Sequence, residues 1–295
     1  MDYRARRGTI FAEEAEVLTH TKHAGAQHVL RLHAPQTASR ALPGSFVHLQ
    51  CHPLQPMRRP MSLMHVDARQ GWADILYKVH GEGTRLLSER RPGERLSLLG
   101  PIGQPFKLAE YRPLPLLIGG GVGIPPMVFL AEHLRRQGGK DCSPFVIMGS
   151  EVPFPFSPRP SQIMVQGMPE GVIAAMPLLE DWKVPSRLAS LRGYAGCFEG
   201  YVTDLARRWL DVLGRKQQPK VEIFACGPTP MLRAVAELAA EYGLPCQVSL
   251  EEYMACAVGG CAGCVVRINT PDGPAMKRVC VDGPVFEAET VCFDA

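Results

Sequence analysis

The chain has 295 residues, 46% hydrophobic and 21% charged, with a net charge of +3 and ten cysteines. That length allows two or three domains, each with its own core. The small charge, with no lysine–arginine run longer than three, argues against a nucleic-acid surface. The most apolar window, residues 114–130, is too interrupted by glycine and proline to span a membrane. Residues 1–7 are basic, but no apolar core or small-residue cleavage site follows, so no export signal is expected. Cysteines in a chain of this kind suit a reducing, cytoplasmic compartment.

Residues 9–12, 29–33, 46–49, 62–66, 75–79 and 96–99 alternate or run apolar, with turn residues at 43–44, 69–71 and 92–93. Six short strands at this spacing predict a small antiparallel barrel. A helix is expected over residues 83–90, opened by Gly81-Glu82-Gly83-Thr84. Arg59-Pro60-Met61-Ser62 is expected to put a guanidinium and a hydroxyl on the same side of the chain, suited to a phosphate and to a flavin ring edge. Tyr77-Lys78-Val79, then Gly83 and Thr84, add an aromatic side chain, glycine N–H groups and a hydroxyl that could hold a pyrophosphate. Taken singly, each is an ordinary surface, strand or core residue.

From residue 114 the texture changes to alternating strand and helix: strands at 114–118, 145–148 and 221–225, helices at 127–136, 203–213 and 231–242. This predicts a parallel sheet with helices on both faces. Gly119, Gly121, Gly123 and Pro126 follow the first strand and open the first helix. Glycines there let backbone approach a pyrophosphate, and the helix start favours its charge. Cys226-Gly227-Pro228 ends a strand of the same sheet, where Cys226 could line a nicotinamide ring or simply be a buried strand-end thiol. Residues 151–191, dense in proline, read as a long ordered loop.

The last section carries Cys256, Cys261 and Cys264 at C-x4-C-x2-C spacing, with Cys280 after a fifteen-residue gap. This is a plant-type [2Fe–2S] ligand pattern. Gly259, Gly260 and Gly263, with Ala257 and Ala262, leave room for backbone to wrap the cluster. A hairpin at residues 265–279, turning at 270–273, would deliver Cys280. Zinc on four thiolates, or disulfides, are the competing readings. Residues 248–250 read as a linking strand, and the tail at 285–293 as packing on the cluster section.

The set Arg59 to Ser62, Gly81 to Thr84, Gly100-Pro101-Ile102-Gly103, Gly119 to Pro126 and Cys226 to Pro228 resembles the ferredoxin–NADP reductase superfamily across nearly the whole chain. With the C-terminal cysteines and Cys280-Val281-Asp282-Gly283-Pro284-Val285-Phe286, it resembles the electron-transfer subunits of B-type dihydroorotate dehydrogenases. The resemblance implies a multidomain chain: an antiparallel Greek-key β-barrel flavin domain (1–109), an α/β parallel-sheet NAD(P)-binding domain (110–246) and a small C-terminal [2Fe–2S] domain (247–295). It implies FAD with Arg59 at its pyrophosphate, Ser62 at its reactive edge, Tyr77, Lys78 and Val79 along ring and ribityl chain, and Gly83 and Thr84 at phosphate. It implies NAD(H) or NADP(H) on Gly119–Gly123, with Cys226 by the nicotinamide. The partner it implies is an FMN-containing catalytic subunit that oxidises dihydroorotate in pyrimidine biosynthesis, in a hetero-oligomer.

Two departures stand out. Where many relatives carry an Asp-Gly-Ser run, this chain has Gly193-Tyr194-Ala195-Gly196-Cys197-Phe198, and the stretch from Glu151 is long. Arg187 and Arg192 would suit a 2′-phosphate, or lie free on the surface. Other redox partners (a hydrogenase, a sulfide reductase, a transhydrogenase-like complex) and a zinc-stabilised interaction module are the alternative functions.

Overall fold

The structure is a computed structural model that describes residues 9–108, 112–139 and 141–293; the basic segment 1–7 lies outside the described residues. Six antiparallel strands close a barrel in the order β1-β2-β5-β4-β3-β6: β1 (Phe11–His23), β2 (Gln27–His33), β3 (Phe46–Leu49), β4 (Arg59–Asp67), β5 (Trp72–Lys78) and β6 (Arg95–Ile102). Alternating side chains such as Val17, Leu30, Val47, Leu63, Ile75 and Leu98 fill its interior. β1 is far longer than the four residues expected, because its outer face is charged and its inner residues never form an apolar run. A short helix, α1 (Pro35–Arg40), was not legible in the sequence; the Glu13 carboxylate accepts the Gln36 and Thr37 N–H groups and the Thr37 hydroxyl at its start. The expected helix after β5 is α2 (Gly81–Leu87).

The second layer is a six-stranded sheet in the order β11-β8-β7-β12-β13-β16. It comprises β7 (Leu114–Gly120), β8 (Phe145–Gly149), β11 (Ser186–Ala189), β12 (Val221–Cys226), β13 (Cys246–Ser249) and β16 (Val285–Glu287). Five strands are parallel and β16 is an antiparallel edge. On β7, Leu116 and Ile118 face the core under α5 (Val202–Gln217) and α6 (Thr229–Tyr242), while Leu117 faces α3 (Ile124–Gln137) on the opposite side. α3 begins three residues earlier than expected, with Pro125 and Pro126 buried in its first turn.

Two expectations need correction. The proline-rich stretch is not a plain loop: it holds the short pair β9 (Arg159–Pro160) and β10 (Ala174–Ala175), α4 (Pro177–Asp181) and the edge strand β11. It also braces the barrel, since buried Gln27 donates to Pro153 O at 2.7 Å. Arg187 is not a surface residue. It is buried and donates to the carbonyls of Val172, Ser186 and Ile163, and burial lowers its pKa.

The last section is tied into the sheet. β13 and β16 flank its cysteine loop in sequence and pair side by side. β14 (Val265–Thr270) and β15 (Gly273–Arg278) form the expected hairpin, and Val291 of the tail bridges Ile268 on it. Ala257, Cys264, Val279 and Cys280 share one core with Val248 of β13 and Leu232 of α6. No helix among the described residues is long and apolar enough to cross a membrane.

Candidate functional site

The sheet order reverses at β7: the chain passes outward to β8 and β11 on one side and returns to β12 and β13 on the other. The carboxyl ends of β7 and β12 therefore form a topological switch point, where open α/β sheets bind ligands. Gly119 and Cys226 are register partners there. Each fingerprint glycine has its own reason. A Cβ on Gly119 would lie 3.0 Å from the Ile124 Cα, so the helix packs against the strand end. Gly121 has a φ of +56° and open space where a side chain would project. A Cβ on Gly123 would lie 2.2 Å from the Cys226 carbonyl oxygen, so the two turns are in backbone contact. Gly227 abuts the Gly120 N–H in the same way, Pro228 precedes α6, and Pro126 is buried under the loop.

Beside this point lies a cleft of about 1030 Å³ between barrel and cysteine loop. That is at the upper end of the roughly 300–1,000 Å³ typical of ligand pockets, and fits a large cofactor. Arg59, Pro60, Met61, Ser62, Tyr77, Lys78 and Thr84 all line it. Ser62 sits opposite Phe46 across the β3–β4 pair. The Arg59 guanidinium rests on Gly83, where a Cβ would come within 2.9 Å of its Nε. Thr84 Oγ1 donates to His80 O and accepts from His80 N, closing the start of α2. Val79 packs against the barrel core instead of the cleft.

Sequence reasoning missed the opposite wall. Ser249, Leu250, Glu251, Tyr253 and Met254 line the cleft, and Val122 of the glycine loop enters it. The signal was present in part: residues that follow a parallel strand lie at its carboxyl end. In the sequence, residues 248–250 read as a linking strand, but not as a member of the parallel sheet whose carboxyl end faces the cleft. Glu251 is open to the cleft yet ringed by protein, and this desolvation raises its carboxyl pKa. Cys226 is 1% exposed. Burial, then the Glu251 charge, push its thiol well above the ordinary range against a hydrogen bond from Ser249.

None of the ten cysteines forms a disulfide. The four candidate ligands come together in pairs. Cys261 N–H donates to Cys256 Sγ at 3.4 Å, and Gly263 N–H to Cys261 Sγ at 3.4 Å. Burial opposes ionisation of Cys256, but the N–H groups of Val258, Cys261 and Gly260 bring it down to about 7. Cys280 is raised by burial and by its hydrogen bond with Cys264, which makes these two the second pair. A single zinc draws four thiolates to one point at about 2.3 Å. Two irons take two thiolates each, and two thiol pairs joined by a loop rich in N–H donors fit that donor set. The left-handed residues that shape the loop are Ala257, Gly259 and Ala262, with φ of 57°, 80° and 53°; Gly260 and Gly263 are not among them.

A closed antiparallel barrel, a parallel sheet with a glycine loop at its switch point and a shared cleft define a ferredoxin-reductase-like chain with an appended iron–sulfur segment. Residues 251–292 match the family described as the iron–sulfur cluster binding domain of dihydroorotate dehydrogenase B. The dihydroorotate dehydrogenase B (NAD(+)) electron transfer subunit of Bacillus caldolyticus is 35% identical over 84% of this chain and 86% of its own. That of Desulforamulus reducens is 32% identical over 95% and 98%. Among solved structures, an NADH-dependent reduced ferredoxin–NADP oxidoreductase, studied for flavin-based electron bifurcation, superposes with a TM-score of 0.75 at 27% identity, covering 96% of this chain and 91% of that one. The ferredoxin reductase of carbazole 1,9a-dioxygenase shares the fold, with a TM-score of 0.61 at 22% identity over 80% and 67%. The chain belongs to the family of dihydroorotate dehydrogenase B electron transfer subunits.

Proposed function

We propose that this chain carries electrons between NAD(H) and an FMN-containing dihydroorotate dehydrogenase subunit, within a hetero-oligomer serving pyrimidine biosynthesis in the cytoplasm. The observation that carries this is the convergence of three walls on one cleft: β4 and β5 of the barrel, Val122 of the glycine loop, and the segment that runs into Cys256. When bound, FAD supplies the change between two-electron and one-electron chemistry, and the [2Fe–2S] cluster a one-electron relay. Arg59 meets the flavin pyrophosphate as a fixed cation, with Gly83 and Thr84 beside it. Ser62 offers its hydroxyl to the reactive ring edge, and Tyr77 and Lys78 border ring and ribityl chain, while Val79 supports them from the barrel core. Pro60 and Met61 set the path of the strand between Arg59 and Ser62. Gly119, Gly121 and Gly123 admit the dinucleotide, and Cys226, a neutral thiol, packs where the nicotinamide arrives, with Gly227 and Pro228 shaping the turn. Cys256 and Cys261 hold one iron, Cys264 and Cys280 the other. Residues 1–109, 110–246 and 247–295 are the flavin, nicotinamide and cluster units of this reading.

NAD rather than NADP is the reading we favour, because the relatives are named for NAD(+) and, of the two arginines suited to a 2′-phosphate, Arg187 is committed to three carbonyls. The test is to purify the chain with its co-expressed catalytic subunit. It should contain FAD, iron and acid-labile sulfide, and reduce NAD⁺ with dihydroorotate; Cys280→Ser should abolish the paramagnetic signal and the coupled reaction together. One zinc per chain without iron would instead indicate an interaction module. The likeness to the ferredoxin–NADP oxidoreductase supports a second reading, a reductase subunit for another redox partner such as a hydrogenase, a sulfide reductase or a transhydrogenase-like complex. Co-purification with a flavoprotein inactive on dihydroorotate would favour it.

A further inference from the structure

A row of alternating charges crosses from the barrel to α3 of the nucleotide-binding sheet. Arg31 on β2 donates to Asp74 on β5 through Nε at 2.7 Å and Nη2 at 2.8 Å. Asp74 Oδ2 lies 3.7 Å from Nδ1 of His65 on β4. His65 Nε2 lies 3.0 Å from Oε1 of Glu132 on α3, and Arg136 Nη2 meets that same oxygen at 2.7 Å. The two carboxylates are the most buried members, with side chains 6% and 3% exposed. Rings enclose the row: His65 meets Trp72 and Trp182 edge-on, at centroid distances of 4.8 and 5.4 Å.

The sequence of β4 explains how a barrel strand reaches out in this way. The β4–β5 register slips between Leu63 and His65. Such a bulge re-aims side chains. Leu63 stays inside the barrel, while Met64 joins Met127 and Val128 in the core beneath α3 and His65 meets Glu132. Buried ion pairs seldom stabilise more than well-packed apolar side chains would. What they do impose is one geometry.

We propose that His65 is a positioning residue that fixes the angle between the flavin barrel and the nicotinamide-binding loop, and so the approach of nicotinamide to flavin; this rests on the electron-transfer reading above. Both elements joined at the pin lead to the site. His65 is three residues along β4 from Ser62, about 10 Å. Glu132 is nine residues along α3 from Gly123, about 13 Å. A tilt of about 5° at the pin moves the glycine loop by about 1 Å, and displacements of that size cost roughly 100-fold in reactions that need close alignment.

The test compares wild type, His65→Gln, Glu132→Gln and the double variant, each purified with FAD and cluster bound. Flavin bleaching by NADH is followed by stopped flow, with NADH affinity, FAD content and tryptophan emission measured alongside. Each single variant should bleach roughly 10-fold or more slowly at saturating NADH, with affinity within about threefold of wild type, FAD content unchanged and emission from Trp72 and Trp182 shifted. The double variant should be no slower than the worse single one, since both remove one contact. Glu132→Gln keeps the shape of the side chain, so it remains informative if His65→Gln loads poorly. Bleaching within twofold of wild type, or slowed only in proportion to lost FAD, overturns the positioning role. A wild-type flavin that NADH leaves oxidised refutes the electron-transfer reading itself, and the positioning role with it.

Discussion

Gly121 and Gly123 stand two residues apart in one loop, and substituting them should fail in different ways. Gly123→Ala drives a methyl into the Cys226 carbonyl, which cannot retreat without moving β12. We expect the glycine loop to part from the Cys226 turn, NADH affinity to fall by at least roughly tenfold (about 1.4 kcal/mol) and FAD content to hold. Gly121→Ala meets no protein atom and incurs only the left-handed backbone penalty of about 1–2 kcal/mol. Its melting temperature should fall by only a few degrees while NADH binding weakens, as expected if the open space beside Gly121 takes the dinucleotide; unaltered binding would place the dinucleotide elsewhere. Two histidines make opposite predictions. His48 is buried, and burial, then Arg58, lower its pKa to about 4 against the backbone contacts of Met254 and Arg58. Its contribution to stability is present above the unfolded value of about 6.5 and is lost as pH falls through 4. For His65, burial is outweighed by Asp74 and Glu132, which raise it to about 9. Its contribution is present below about 6.5 and is lost as pH rises through 9. Each limb is worth about 3 kcal/mol. Denaturant midpoints measured against pH should lose only the acid limb in His48→Leu and only the alkaline limb in His65→Gln.

Among the elements, the proline-rich stretch shows the greatest distance between sequence and structure. Its prolines suppress both periodicities, so no strand or helix could be read, yet β11 within it is the sheet edge and Val152-Pro153 meets the β1–β2 turn. A Cβ on Gly25 in that turn would come within 2.9 Å of the Val152 Cβ. Gln27→Leu removes the donor to Pro153 O and leaves that carbonyl without it. We expect a loss of about 1–2 kcal/mol in chemical denaturation and faster proteolysis within residues 151–160. Unchanged proteolysis would mean that this stretch is held by its own contacts alone, such as the Glu180 carboxylate accepting from Ser161 and Gln162.

Across the whole molecule, the cysteine loop and the nucleotide-binding sheet share a core: Cys264 and Cys280 are buried with Val248 and Leu232, and β16 completes the sheet edge. Metal binding that organises such a segment contributes to folding beyond the ligands themselves. Removing the cluster with an oxidant and chelator should therefore reduce amide protection in β13 and β16 as well as in residues 256–280, and leave the barrel strands β1 and β2 protected. Hydrogen exchange read by mass spectrometry gives the answer. Loss confined to residues 256–280 would show that the segment folds and unfolds alone.

Local chemistry was legible because it is written in spacing. Four thiols at ligand intervals, glycines between a strand and a helix, and the Arg59 to Ser62 run are properties of neighbours in the chain, and of these groups Arg59, Pro60, Met61 and Ser62 line the cleft. Strand pairing is not such a property. That β13 joins β12 and brings Glu251 and Tyr253 to the cleft, that Arg187 turns inward, and that a bulge sends His65 to Glu132 all depend on which surfaces meet after long loops close. Contacts between residues 67 positions apart, as in the His65–Glu132 pair, leave no periodic trace in either segment; packing of the barrel against α3 selects them.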